Sequence, residues 1–273
     1  MRIRTTLAAV SGAVVLSALV APAAQAAEPD LALKDRQRGD TKITKVVING
    51  GKDIVVGAAT KKKFTIAVTA TDAKGIEGAG ALLWHGAKFD ERNLTGMLAP
   101  TADEKCKKLS ATSATCTVTI TVNPKAGWDK NGLANHMAGG GWKLMAGAGG
   151  RDGDHVIRMA YKKGVHLKRA AKLTVNATPE PVKKGKTITV AGALTRANWD
   201  THKYAGYTQQ SVKLQFKKKG ASSYTTVRTV KTDARGNLKT TMKASADGTF
   251  RYVFAGTSTT PAVTSAGDAI DVR

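Results

Sequence analysis

Apolar and polar residues alternate with a period of two through most of this chain. Phe64, Ile66 and Val68 are separated by Thr65 and Ala67. Val118, Ile120 and Val122 are separated by threonines, with Cys116 on the same parity. Val212, Leu214 and Phe216 alternate with Lys213 and Gln215, and Phe250, Tyr252 and Phe254 with Arg251 and Val253. A strand turns successive side chains to opposite faces, so each run predicts a half-buried β-strand. Shorter runs at 43–48, 54–56, 81–86, 141–146, 155–159, 187–190, 224–230 and 238–244 predict further strands, and Ile270 with Val272 a last one. Turn signals lie between them, among them Asn49-Gly50-Gly51, Asp72-Ala73-Lys74-Gly75 and Arg151-Asp152-Gly153-Asp154. No segment carries a helical period. Three stretches are expected as loops: the charged 88–105, the glycine-rich 127–141 and the aromatic 196–207.

This pattern predicts antiparallel β-sandwiches. The seam between two of them falls where a strand-like run at 171–178 meets Pro179-Glu180-Pro181, and Lys183-Lys184-Gly185-Lys186 leads into the next alternation. An internal echo supports two copies of one strand order. Residues 138–147 lie over 246–255, and 61–68 over 183–190, in the order of turn, basic, aromatic and apolar positions. The expected division is a signal peptide at 1–26, a flexible polar extension at 27–41, a first sandwich at 42–168 and a second at 169–273. The signal peptide rests on Arg2 and Arg4, an uncharged apolar run over 7–20, and Ala24-Gln25-Ala26 before Ala27.

Charge narrows the partners. The chain has 43 Lys+Arg against 20 Asp+Glu, a formal net charge of +23. Residues 169–273 carry 18 basic and 6 acidic groups, so the surplus is no tail. A field of this sign draws polyanions and speeds encounter with them. Outside a cell those are cell-wall polymers, acidic polysaccharide or free DNA, and the competing reading is a soluble surface with no dedicated partner. Cys106 and Cys116 are expected as a disulfide, from the oxidising destination and the short spacing, provided their Cα atoms come within about 7 Å. Closing that loop stabilises by about 2.8 kcal/mol in the chain-entropy account.

Four stretches carry a resemblance. They are Ala-Lys-Leu-Thr-Val-Asn-Ala-Thr-Pro-Glu-Pro-Val-Lys-Lys-Gly-Lys-Thr-Ile-Thr-Val-Ala-Gly (171–192), Arg-Ala-Asn-Trp-Asp (196–200), Val-Lys-Leu-Gln-Phe-Lys-Lys-Lys-Gly (212–220) and Phe-Ala-Gly-Thr-Ser-Thr-Thr-Pro-Ala-Val (254–263). Together they resemble an immunoglobulin-like module of secreted, Streptomyces-like actinobacterial proteins. Val-Val-Ile-Asn-Gly-Gly-Lys-Asp-Ile-Val-Val-Gly (46–57) resembles the module found before it. The resemblance implies an all-β fold of two consecutive immunoglobulin-like sandwiches and export. It implies little about function, beyond a calcium-binding label that some such proteins carry.

Candidate chemistry is sparse. Calcium needs six to eight oxygens, and the acidic turns on offer are Asp152-Gly153-Asp154 and 72–77, neither with EF-hand spacing. Ordinary turn chemistry explains both, so Asp152 and Asp154 stand as the weakest site expectation. His85, His136, His155, His166 and His202 lack metal spacing. No nucleophile elbow is present. Trp199, His202, Tyr204 and Tyr207 on the aromatic loop are the candidate ligand contacts, by stacking on sugar rings, against the alternative that they pack at the domain junction. The expectation is a non-enzymatic, secreted, monomeric binding or structural protein, loosely held at the cell envelope by charge. It would have no cofactor unless calcium, no specific nucleic-acid partner and no stable membrane insertion. The alternative is a secreted protein-binding module or inhibitor acting through loops, and a calcium-binding protein is the third reading.

Overall fold

The structure, a computed structural model, describes residues 34–273. The expected signal peptide and residues 27–33 lie outside the described residues. Among the described residues no helix is long and apolar enough to cross a membrane.

The first unit runs through β1 (Arg36–Arg38), β2 (Lys42–Ile48), β3 (Ile54–Val56), β4 (Lys62–Thr71), β5 (Ile76–Gly86), β6 (Leu94–Leu98), β7 (Ala102–Lys108), β8 (Ser113–Val122), β9 (Gly139–Gly150) and β10 (His155–Arg169). One sheet has the order β2-β4-β8-β7, the other β1-β10-β9-β5-β6, with β3 parallel to the end of β10. These are the two sheets of an immunoglobulin-like sandwich, which pairs its first, second, fifth and fourth strands against the rest. Phe64, Ile66 and Val68 of β4 and Val118 and Ile120 of β8 meet Leu83 of β5 and Trp142, Leu144 and Ala146 of β9 in one buried core. The Trp142 indole is fully enclosed and donates to the Met137 carbonyl at 2.7 Å.

A second apolar cluster lies on the outer side of β5, β9 and β10, made of Leu82, Trp84, Met145, Ile157 and Met159. Phe89 meets the Trp84 ring edge-on, and the indole donates to the Met159 carbonyl at 2.6 Å. This is why 81–84 reads Ala-Leu-Leu-Trp with no polar partner. A strand covered on both faces has no reason to alternate.

The second unit comprises β11 (Ala171–Leu173), β12 (Asn176–Thr178), β13 (Thr187–Asn198), β14 (Lys203–Gly206), β15 (Ser211–Lys218), β16 (Thr225–Lys231), β17 (Asn237–Lys243), β18 (Gly248–Phe254), β19 (Val263–Thr264) and β20 (Asp268–Ile270). Strands β11, β12, β14 and β17 all pair with β13 in one sheet, and β16-β15-β18 with β19 and β20 form the other. The orders β12-β13-β17 and β16-β15-β18 match β2-β4-β8 and β6-β5-β9 of the first unit, so β4 and β13 occupy equivalent places, as do β9 and β18. These are the pairs that the internal echo matched. The core gathers Ile188, Val190, Val212, Leu214, Leu238, Phe250, Tyr252 and Phe254. Gly192 admits the Tyr252 ring, because a side chain there would meet both the ring and the Thr174 carbonyl. The Tyr252 hydroxyl donates to the Val190 carbonyl at 3.0 Å, and burial pushes it up to about 12.

Four local expectations are corrected. The polar stretch up to residue 41 is not loose where described: β1 pairs with β10, and Thr41 is fully buried with its hydroxyl on Asp72. The charged 88–105 contains β6 and most of β7, an edge strand whose outward charges leave no apolar alternation to read. The 127–141 connection holds two 3-10 turns, Trp128–Lys130 and Asn135–Met137. The aromatic 196–207 is not irregular: β13 runs on to Asn198 and returns as β14.

Cys106 and Cys116 form the disulfide, directly opposite each other on β7 and β8. Cys116 is buried against the core and Cys106 lies on the exposed edge. The bridge therefore pins an edge strand that buries little of its own surface. Changing both cysteines to serine is expected to cost about 2–3 kcal/mol in denaturant melts. Hydrogen exchange should rise first over Ala102–Lys108. Equal loss of protection in β4 would contradict this placement.

Candidate functional site

The long strand β13 serves two cores. Its first half pairs with β12 and β17, and its second half with β11 and β14. Ile188, Val190 and Leu194 point into the second core, whereas Ala197 and Trp199 belong to the first. Trp199 is fully enclosed. Its indole donates to the carbonyls of Gly57 at 3.1 Å and Val56 at 3.4 Å, at the end of β3. Burying so large a ring requires a partner for its N–H, and the chain leaving β3 supplies it.

Polar contacts close around this anchor. Asn135, in the 3-10 turn before β9, accepts the Trp199 backbone N–H at 3.0 Å. Its side-chain amide donates to Asn198 at 2.8 Å and Asp200 at 2.5 Å, and its backbone N–H to Asp200 at 3.0 Å. Asn198 in turn accepts the N–H groups of Asp200 and Thr201, shaping the 199–202 turn. Between the units the chain crosses through Ala170 alone, which donates to Val56 at 2.9 Å and accepts from Ala197 at 2.7 Å. Arg169 is 8% exposed, and its guanidinium donates to the Ala197 carbonyl at 2.5 Å. Burial, then the nearby Arg196, pushes it down to about 10, so it remains charged at neutral pH.

Of the four candidate ligand contacts the structure corrects Trp199 and Tyr207, in favour of the packing alternative, and leaves His202 and Tyr204 half-buried. Trp199 and Tyr207 are buried and present no free ring face. Tyr207 meets Phe254 edge-on and carries the Arg196 guanidinium 3.9 Å from its ring centre. Tyr204 packs against the first core with Lys172 over its ring at 4.2 Å, and burial raises its hydroxyl above the ordinary range. His202 sits in the turn with φ +56°, its Nδ1 buried without a hydrogen-bond partner. Trp199 and Tyr204 reach into the first core and join the sandwiches, whereas Tyr207 belongs to the second core. Their density in the sequence marks a junction, and Asn135 could not be read as their receptor, because one asparagine in a glycine-rich stretch carries no periodic signal.

A second constellation forms at the end of the first sandwich. Asp40, Asp72 and Asp154 each offer a carboxylate oxygen within 4.8 Å of the others. Asp72 is buried and accepts the Thr41 hydroxyl at 2.6 Å and the Lys74 N–H at 2.8 Å. Asp154 accepts the Asp40 N–H at 2.9 Å, with Gly39 permitting the approach at φ +68°. Of the expected metal ligands, Asp154 thus joins a three-carboxylate group and Asp152 does not belong to it. Asp152 instead accepts the Asp154 N–H at 3.2 Å, ordinary turn chemistry. Asp40 was unreadable as a member because its stretch had no period.

Among the histidines, His85 bonds Thr95 at 2.6 Å and stands 6.2 Å from His136 between ring centres. Burial, then His136 and Lys143, holds it below the usual imidazole value. His155 faces the Gly153 carbonyl.

No protein-family model matches this chain, and no curated protein does. Solved structures show a distant likeness. Dimeric latent PorU from Porphyromonas gingivalis is 12% identical, over 85% of this chain and 20% of that one, with a TM-score of 0.30. The fibronectin(III)-like modules of Clostridium thermocellum CbhA are 11% identical over 84% and 93%, with a TM-score of 0.31. The mouse nectin-like molecule 4 ectodomain (Ig1–Ig3) is 12% identical over 87% and 66%, with a TM-score of 0.25. At such values the fold assignment rests on the strand order itself: two consecutive immunoglobulin-like antiparallel sandwiches.

Trp199→Ala is expected to cost about 3–5 kcal/mol. It should also split a single calorimetric transition into two, because the shared core is what couples the sandwiches. One unsplit transition at a lower temperature would argue against that coupling.

Proposed function

We propose that this chain is a non-catalytic, secreted binding or structural protein that associates with anionic polymers at or outside the cell envelope. One observation carries the reading. Of the 43 Lys+Arg in the chain, all but Arg2 and Arg4 lie in the described residues, which form three ion pairs: Lys168–Asp53 at 2.7 Å, Lys219–Asp247 at 3.5 Å and Arg273–Asp271 at 3.1 Å. Most cationic side chains therefore face solvent without a protein counter-charge and attract polyanions over a Debye length, about 8 Å at physiological salt. Both cysteines being bridged supports an oxidising destination. The burial of Trp199 in the first core and of Tyr207 in the second weakens the alternative of an inhibitor or protein-binding module acting through that loop. Purified protein is expected to stay on isolated cell-wall material at 50 mM salt and to elute steeply between 50 and about 300 mM. Absence of retention at every salt concentration would overturn this reading.

A second reading, calcium binding, is favoured by the convergence of Asp40, Asp72 and Asp154. Carboxylates drawn together from three separate segments supply part of the oxygen set that this ion requires. The expected result is a melting temperature higher in millimolar calcium than in chelator, a difference that Asp154→Asn removes. Identical melting in calcium and chelator would dispose of it.

A further inference from the structure

The cations of the second sandwich are unevenly opposed. Its six acidic residues are Glu180, Asp200, Asp233, Asp247, Asp268 and Asp271, and none lies in β15, β16, β18 or β19. Asp200 is engaged with Asn135, Asp233 closes its own turn, and Asp247 holds the Val272 N–H beside Lys219. Asp268 stands opposite the inward-facing Phe250 and accepts the Ala177 N–H at 2.6 Å. Asp271 pairs with Arg273, and Glu180 lies near Asp268 and Asp271, so no carboxylate stands on the strands β16, β15 and β18 themselves.

Register shows what the outer face of these strands carries instead. Val212, Leu214, Phe250 and Tyr252 are buried, so the alternate positions point outward. They are Ser211, Lys213, Gln215 and Lys217 on β15, Thr249, Arg251 and the half-buried Val253 on β18, and Thr226, Thr229 and Lys231 on β16. Arg251 lies opposite Gln215 and Lys231 opposite Ser211. Outward positions along a strand recur every ~6.8 Å, so Lys231, Lys213, Arg251 and Lys217 form a row of about 20 Å. Its centre is built. The Arg251 guanidinium lies 3.7 Å from the Tyr224 ring centre and donates through Nε to Gln215 at 2.8 Å. Lys217 approaches the same ring at 5.2 Å. The planar fork of Arg251 is thus held in place before any ligand arrives, which reduces the ordering cost of binding.

We infer that this face docks a linear acidic polysaccharide, with uronate carboxylates along the cation row and sugar hydroxyls on Gln215 and the threonines beside it. Guanidinium and carboxylate match in geometry, and an aromatic ring among hydroxyl-bearing side chains suits a sugar better than a duplex, whose groove this flat sheet offers nothing to enter. The assignment rests on the polyanion reading above and names its site and ligand class.

The test is binding to immobilised alginate across a salt series, with neutral dextran and duplex DNA as comparison probes. Lys217→Ala with Arg251→Ala is expected to weaken alginate binding at least tenfold and to flatten its dependence on log salt by 1 to 2 units, as expected on removing two ionic contacts. Tyr224→Ala should weaken binding with the salt slope unchanged. Lys239→Ala with Lys243→Ala removes the same charge from exposed positions on the opposite sheet and should change binding less than threefold. An equal loss in that control would overturn the assignment of the face alone. Stronger binding to duplex DNA would overturn the ligand class. No binding of any polyanion by the unaltered protein would overturn the polyanion reading and this site with it.

Discussion

The joint between the two sandwiches is centred on one side chain that belongs to the second in sequence and to the first in packing. Trp199 directly follows a strand whose opening residues build one core, and its ring fills another. Everything at the junction follows from that commitment. The indole N–H must be satisfied inside the first unit, which fixes the chain after β3. The turn that presents the ring must be rigid, which requires Asn198 and Asn135. With only Ala170 between β10 and β11, the backbone itself leaves little room for separation, and the buried ring and the Arg169 guanidinium take up what remains.

A junction of this kind joins two cores through a few buried groups, Trp199 and Arg169 foremost. The aromatic side chains that a binding loop would display are spent on cohesion. The outer face of β16-β15-β18, which carries threonine, lysine and arginine, is then the surface left to a charged ligand. Charge on such faces is spread broadly, and broad charge by itself confers affinity without selectivity. Selectivity requires positions where cations are fixed and unopposed, and the Arg251–Tyr224–Gln215 arrangement is one of them.

Several features were legible in advance because they are local. The alternation of Phe64, Ile66 and Val68, and of Phe250, Tyr252 and Phe254, announces strands with one buried face. The parity of Cys116 with Val118 and Ile120 announces that its sulfur lies on the core side. The echo between 61–68 and 183–190 corresponds to equivalent strands in two sandwiches of one order. Other elements were hidden for physical reasons. β7 is an edge strand whose outward charges erase any alternation, and β1 is three polar residues paired along only one side. β5 is covered on both faces, so its apolar run is continuous.

Fold class, the parity of the major strands, the pairing partners available to two cysteines and the surplus of positive charge are properties of composition and period, and the chain determines them by itself. Three things were decided only in three dimensions. Trp199 faces inward because Val56 and Gly57 lie opposite it, 142 and 143 residues away in the chain. Asp40, Asp72 and Asp154 converge because three turns meet at one end of a sandwich. The cation row is unopposed because strand register sends every nearby carboxylate to a turn, an edge or the other face. Each depends on contacts between residues distant in sequence, whose proximity no local pattern encodes.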